Sequence, residues 1–389
     1  MPEGLHLDAE WRQRAKDGEG AAGDTVVVRR IPEEGRLVAI LADGLGSGIK
    51  AAVLSGLTAV IAARHTAAGR DLQRTAALLA RTLPVCSQRG IGYSTFTILD
   101  LQDDGAVRIV NRGNPPSILV RDGGAARCPA EIVDLGDDGT LRMASFRLAE
   151  DDRLVVVSDG VTQAGMGRTS LPFGWGEDGV HAALAEAIAT NRGLAAGPLA
   201  GLVVEAACAI DDGRARDDAT CLVVHLRRPR RLLLVTGPPY DETQDALVAA
   251  WVSDAPGRVA VCGGTTTRII ARELHRAIGP GPADQDPSIP PGASLRGVDL
   301  VTEGMITLAA CLRLLEGPRP WPVPLSAATR LADLLLDSDR IDMVVGTRIN
   351  EAHQDPALPM ELGIRRNLLR SLAAVLERRW ARRVTLRFV

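Results

Sequence analysis

No two cysteines in this chain form a C-x-x-C pair. The six that occur, Cys86, Cys128, Cys208, Cys221, Cys262 and Cys311, are scattered. That spacing argues against a zinc site and against a disulfide framework, and it fits a reducing cytoplasm. Charge of one sign is also lacking. A formal net charge of −3 gives no general reason to expect nucleic acid or an anionic membrane as partner. The two basic clusters, Arg227–Arg231 and Arg378–Arg383, read as a solvated linker and a solvated helix end, with an anion or partner site as the alternative. The stretch Met1–Glu10 has no apolar core and carries Glu3, Asp8 and Glu10, so it is not expected to be a signal peptide. The longest apolar stretch, Ala51–Ala63, is broken by Ser55, Gly56 and Thr58. It is too short to cross a bilayer and reads as a buried helix.

What is present is ordinary globular composition, 46% hydrophobic and 24% charged, in a chain whose 389 residues suggest two domains. The runs Asp24–Arg29, Leu37–Ala42, Ser94–Leu101, Val107–Asn111, Ser117–Arg121, Leu154–Ser158 and Ala219–Leu226 are β-branched or apolar and end in Gly, Asn or Asp turns, as strands do. Helical periodicity marks Ile49–Ala68, Leu72–Leu83, Val180–Thr190 and Pro198–Ile210. Strands joined directly to strands imply antiparallel hairpins. Helices coming in pairs between them predict an α+β sandwich with helices outside the sheets. After Pro229 the rhythm changes. Leu232–Thr236, Val259–Cys262, Val298–Thr302 and Ile341–Val345 are short apolar runs, each followed by a turn and a helical segment. This pattern predicts a second, α/β domain with a parallel, doubly covered sheet. Its last pieces are a long helix over Leu358–Arg379 and a strand over Arg383–Val389. The expected domains are 1–228 and 229–389, with Pro/Gly-rich loops at Gly279–Gly297 and Gly317–Pro324.

Four acidic sites fall at the ends of strands. Asp24 opens one strand; Asp43 follows another and begins Asp43-Gly44-Leu45-Gly46-Ser47-Gly48. Asp159 follows a third in Ser158-Asp159-Gly160, and Asp217-Asp218-Ala219-Thr220 opens a fourth. Hard dications take oxygen ligands, usually a few carboxylates and waters. Two such ions ~3.5–4 Å apart can activate a water and clamp a transferring phosphoryl group. Taken singly, each Asp-Gly is a common turn. The ordered set carries more.

Gly23-Asp24, Asp43 to Gly48, Asn111-Arg112-Gly113-Asn114-Pro115-Pro116, Ser158 to Val161 and Asp217 to Thr220 follow one another in this order. The set resembles the SpoIIE-type branch of the type-2C (PPM) metal-dependent protein serine/threonine phosphatases, over roughly Gly20 to His225. The resemblance implies an αββα sandwich, two Mn²⁺ or Mg²⁺ ions and hydrolysis of phosphoserine or phosphothreonine in a phosphoprotein, with a bacterial signalling target favoured. It further implies that Asp43 bridges both ions, with Asp159 and Asp217 completing one site and the three forming the catalytic set. The Gly44 carbonyl and Asp24 are implied as further ligands. Asp217 stands first in its motif and is preferred to Asp218, although the two are hard to separate. Asn114 departs from the pattern, which usually has His there, in a turn and not at a ligand. The resemblance names no phosphate-binding arginine. Ser47 is either an N-cap or part of a helix terminus that favours an anion. His65 reads as packed or solvated. The competing expectation is a catalytically silent signalling module built on the same fold.

Leu232–Val389 carries neither a P-loop nor a dinucleotide fingerprint. Its strands end in Gly237-Pro238-Pro239, Gly263 to Thr267, Thr302-Glu303-Gly304 and Gly346-Thr347, where open parallel sheets bind ligands. The alternatives are tight turns with capping threonines and a small-ligand or partner site at Thr265–Thr267 and Glu303, in a regulatory domain. Oligomeric state stays open, with a homodimer allowed.

Overall fold

The computed structural model describes residues 4–82, 94–321, 323–348 and 358–389. It divides into two compact units, Met1–Arg228 and Pro229–Val389. Cys86 and the end of the expected helix at Leu83 lie outside the described residues.

Unit 1 runs β1 (His6–Arg14), β2 (Asp24–Ile31), β3 (Arg36–Gly44), α1 (Gly48–Ala67), α2 (Leu72–Thr82), β4 (Ser94–Gln102), β5 (Ala106–Arg112), β6 (Ile118–Arg121), β7 (Gly124–Arg127), β8 (Glu131–Asp134), β9 (Thr140–Arg147), β10 (Arg153–Val157), α3 (Asp159–Thr162), α4 (Gly176–Thr190), α5 (Ala196–Ile210) and β11 (Ala219–Arg227). Two antiparallel sheets form, in the orders β1-β11-β10-β6-β7 and β2-β3-β4-β5-β9-β8. The period of two in a strand sorts their side chains. Leu37, Ala39 and Leu41 of β3 meet Leu154 and Val156 of β10 and Leu222, Val224 and Leu226 of β11 in one core between the sheets. The alternate residues Val38, Ile40 and Ala42 pack with α1 and α2. On the far side, Val155, Val157, Cys221 and Val223 pack with α4 and α5. Strands buried on both faces read as continuous apolar runs, which is why β3, β10 and β11 are visible in the sequence. Removing one such leucine, as in Leu41→Ala, costs about 2–5 kcal/mol.

Helix α1 corrects one expectation. Its apolar residues run all round, which suggests full burial. Only small residues, Gly48, Ala51, Ser55, Thr58, Ala59, Ala62, Ala63 and Thr66, are buried, while Ile49 (76% exposed), Val53, Leu57 and Val60 face solvent. Small side chains let the helix approach the sheet closely. A Cβ on Gly44 would lie 2.2 Å from the Ala51 carbonyl oxygen.

Unit 2 contains β12 (Arg231–Thr236), α6 (Asp245–Ser253), β13 (Arg258–Cys262), α7 (Gly264–Glu273), β14 (Ile278–Pro280), β15 (Ala293–Leu295), β16 (Val298–Thr302), α8 (Met305–Glu316), α9 (Ala327–Leu336), β17 (Arg340–Val345), α10 (Leu358–Trp380) and β18 (Arg383–Phe388). The sheet order is β14-β15-β16-β13-β12-β17-β18. Strands β16, β13, β12, β17 and β18 are parallel. The expected loop Gly279–Gly297 holds β15, and β14 lies at its start; both join antiparallel at one edge, so the sheet is mixed. Helices α8, α9 and α10 cover one face and α6 and α7 the other.

Candidate metal centre

The inward rows of unit 1 are apolar along their length and turn polar at one end. Asp43 continues the row Leu37, Ala39, Leu41, and it pairs with Asp24 across β2 and with Thr95 across β4. Ser158 follows Val156 on β10, and Asp218 and Thr220 precede Leu222 on β11. Ser158 Oγ joins the two strands, accepting from Thr220 N (2.9 Å) and donating to the Asp218 carbonyl (3.2 Å). The sheets thus bring Asp24, Asp43, Asp159, Asp217 and Asp218 into mutual electrostatic range. In unit 2 the segments leading to Thr265–Thr267 and to Glu303 leave the sheet side by side, since β13 and β16 pair Cys262 with Thr302.

Each carboxylate has its own surroundings. Burial first, then Asp24, Asp159 and Asp217, push the Asp43 carboxyl up to about 9, and Asp159 also shares a hydrogen bond with it. Asp24 is raised to about 7, chiefly by burial, and its hydrogen bonds with Thr220 and Ser158 pull the other way. Its Oδ2 accepts from Thr220 Oγ1 at 2.6 Å, while Oδ1 is buried with no hydrogen-bond partner. Asp217 is raised by burial and opposed by the Asp218 amide; the nearby Lys16 also lowers it. Asp218 differs from the others. Its Oδ1 accepts from Lys16 N (3.0 Å) and its Oδ2 from Gly23 N (2.8 Å), so it ties the segment between β1 and β2 to β11.

Glycines make these approaches possible. A Cβ on Gly160 would lie 2.3 Å from the Asp218 carbonyl oxygen, and one on Gly23 would lie 2.8 Å from both Asp218 Oδ2 and Ala51 Cβ. Ser47 does not cap α1; its hydroxyl donates to Glu19 Oε1 at 2.8 Å. A carboxylate thus stands beside that helix start, where an anion was one of the two expectations.

Among the described residues, no three His, Cys, Asp or Glu side chains form a ready cage for an ion. The donor set still fits a hard dication, which needs only one or two carboxylates with backbone oxygens and waters. The orphaned Asp24 Oδ1 is the kind of buried acceptor that requires a partner.

The family model of Stage II sporulation protein E (SpoIIE) matches residues 33–227, half of the chain. The chain belongs to the SpoIIE family. Unit 1 accordingly has the PP2C-type phosphatase fold, two facing sheets flanked by helices. Among solved structures, the SpoIIE phosphatase domain with a regulatory fragment from Bacillus subtilis is similar at 22% identity and TM-score 0.46, over 58% of this chain and 64% of that one. The chain therefore spans less than two thirds of that relative. The RsbU and RsbW domains of Rv1364c from Mycobacterium tuberculosis are similar at 20% identity and TM-score 0.47, over 65% of this chain and 68% of that one. RsbX, solved in complex with magnesium, is similar at 16% identity and TM-score 0.40, over 57% of this chain and 96% of that one. No curated protein matches.

Sequence reasoning missed Lys16, Glu19, Ser158 and Thr220 as parts of this site. Ser158 and Thr220 stand inside the quoted motifs and were legible as inward positions of β10 and β11. Lys16 and Glu19 come from the segment after β1, whose polar sequence gave no strand signal. In unit 2, Thr266 and Thr267 are buried, the Thr267 hydroxyl donates to the Gly263 carbonyl (2.9 Å), and Glu303 Oε2 accepts from Ile306 N (3.1 Å) at the start of α8. No threonine side chain caps α7, whose first turn follows Gly263; the Thr267 hydroxyl bonds back along its own helix, and Glu303 alone of the two serves a helix start. A cavity of about 280 Å³ in this unit lies elsewhere, lined by Arg231, Trp251, Asp342 and Arg387 among others.

Proposed function

We propose that unit 1 is a metal-dependent phosphatase that hydrolyses phosphoserine or phosphothreonine in a protein substrate. The observation that carries it is the convergence of Asp24, Asp43, Asp159 and Asp217 at the polar end of the inter-sheet core. Like charges gathered in a site where Asp24 is buried and Asp43, Asp159 and Asp217 are half-buried repel one another unless protonated or neutralised by a cation. Asp24, Asp43, the Gly44 carbonyl, Asp159 and Asp217 would hold Mn²⁺ or Mg²⁺. Such ions supply an activated water and neutralise charge on the phosphoryl group. Asp218 holds the β1–β2 segment in place and is the weaker candidate for a ligand. Thr220 orients Asp24 by hydrogen bonding, and Ser158 holds Thr220 and the Asp218 carbonyl in place. Unit 2 is proposed to regulate or target the phosphatase.

Phosphate release from a phosphoserine or phosphothreonine peptide tests this reading, with Mn²⁺ and with a chelator. Turnover that requires the metal supports it. Mn²⁺ binding with no turnover on any phosphopeptide or aryl phosphate would instead mark a silent signalling module.

A further inference from the structure

The turn Asn111–Pro116 lies beneath the strand that carries Asp43 and is joined to it by buried hydrogen bonds. Asn114 Nδ2 donates to the Leu41 carbonyl (3.3 Å) and to Thr97 Oγ1 (3.1 Å), while its Oδ1 accepts from the Thr95 hydroxyl. Asn111 Nδ2 donates to the same Thr97 Oγ1 (3.0 Å) and to the Pro115 carbonyl (3.0 Å), which closes the turn on itself. Asn114 is 2% exposed, Asn111 3% and Thr97 0%. Gly113, at φ +85°, allows the contact, since a Cβ there would lie 2.5 Å from Thr95 Cγ2.

The placement of these groups gives them a consequence for the site. Leu41 stands two residues before Asp43 on the same inward row, Thr97 pairs with Leu41, and Thr95 pairs with Asp43. One amide thus grips both strands at the point where the apolar row ends and the carboxylates begin. A primary amide suits the task because it donates and accepts at once and carries no charge at any working pH. Its burial leaves water unable to replace a lost bond, so truncation takes a partner from the Leu41 carbonyl and from the Thr95 and Thr97 hydroxyls, of which Thr97 keeps Asn111.

We propose that Asn114 is a positioning residue. Through Leu41, Thr95 and Thr97 it fixes the end of β3, and so sets the affinity of the centre built on Asp43. This rests on the metal-centre reading of the site. Groups hydrogen-bonded directly to a metal ligand change its metal affinity by about 10–100-fold when removed. Asn114 acts through the backbone of β3 and through β4, so a smaller change, about three-fold or more, is expected.

The test is Mn²⁺ affinity by calorimetry on the full chain, with melting temperature measured in parallel. Asn114→Ala and Thr97→Val are compared with Val203→Ala, which opens a cavity under α5, a helix that carries none of the aspartates. Both polar variants are expected to bind Mn²⁺ more weakly by about three-fold or more, below the range for direct partners of a ligand. Val203→Ala is expected to melt lower and keep the parent affinity, which a merely structural role for Asn114 would also predict for Asn114→Ala. Thr97→Val removes one hydroxyl at nearly constant shape and carries the test if Asn114→Ala does not fold. Parent-like affinity in the polar variants, alongside a parent that binds Mn²⁺, overturns this proposal alone. A parent that binds no Mn²⁺ overturns the metal-centre reading and this one with it.

Discussion

Asp217 and Asp218 are neighbours with different work. Asp218 accepts two backbone amides, from Lys16 and Gly23, and Asp217 keeps its carboxylate near Asp159. Asp218→Ala is therefore expected to lose about 1–3 kcal/mol of stability, the cost of stranding buried donors. Asp217→Ala should melt near the parent and lose Mn²⁺ affinity. Urea midpoints and a Mn²⁺ titration on both variants check this, and the reverse order would exchange the two roles. His225 gives a pH dependence. Burial, then Arg153 and Arg227, lower it to about 4 against the pull of Asp151 and Asp8. The unfolded chain binds that proton at the ordinary value of 6.5, so between the two values it holds more protons than the folded chain. Stability from this group is complete above pH 6.5 and is lost as pH falls towards 4. The amount is on the order of 3 kcal/mol. His225→Gln should show a smaller drop in urea midpoint between pH 7 and 4.5, and an unchanged drop would count against the assignment.

At the scale of elements, the fold depends on close approach between α1 and β3. Gly44→Ala would press a methyl into the Ala51 carbonyl, and overpacking of this kind costs about 1–3 kcal/mol. Because Gly44 follows Asp43, the same change should weaken Mn²⁺ binding, and a melt and a titration of one sample check both effects. The elements legible in the sequence were those buried on both faces, such as β3 and β11, whose apolar runs end in acidic turns. Strands β1, β8 and β9 were not. Their sequences alternate poorly, most of their side chains are exposed, and hydrogen bonding to neighbours defines them. For the same reason Asp24 and Asp43 could be named from motif spacing, whereas Lys16 and Asp218 meet across 202 positions of chain. The role of Asn114 in joining β3 to β4 depends on pairing register, which no local pattern encodes.

For the whole molecule, the acidic centre lies within Met1–Arg228, one of two compact units. A fragment ending near Arg228 is expected to keep Mn²⁺-dependent activity on an aryl phosphate, and Leu232–Val389 to be inert towards it. Turnover by the latter would contradict the division of labour. The central claim is that these aspartates form a working metal centre. Its most direct test is Mn²⁺-dependent hydrolysis of an aryl phosphate by the full chain, measured side by side with Asp43→Asn at matched far-UV circular dichroism. The account predicts turnover by the parent that rises with Mn²⁺ and is abolished in the variant. Activity in Asp43→Asn within a few-fold of the parent would contradict it.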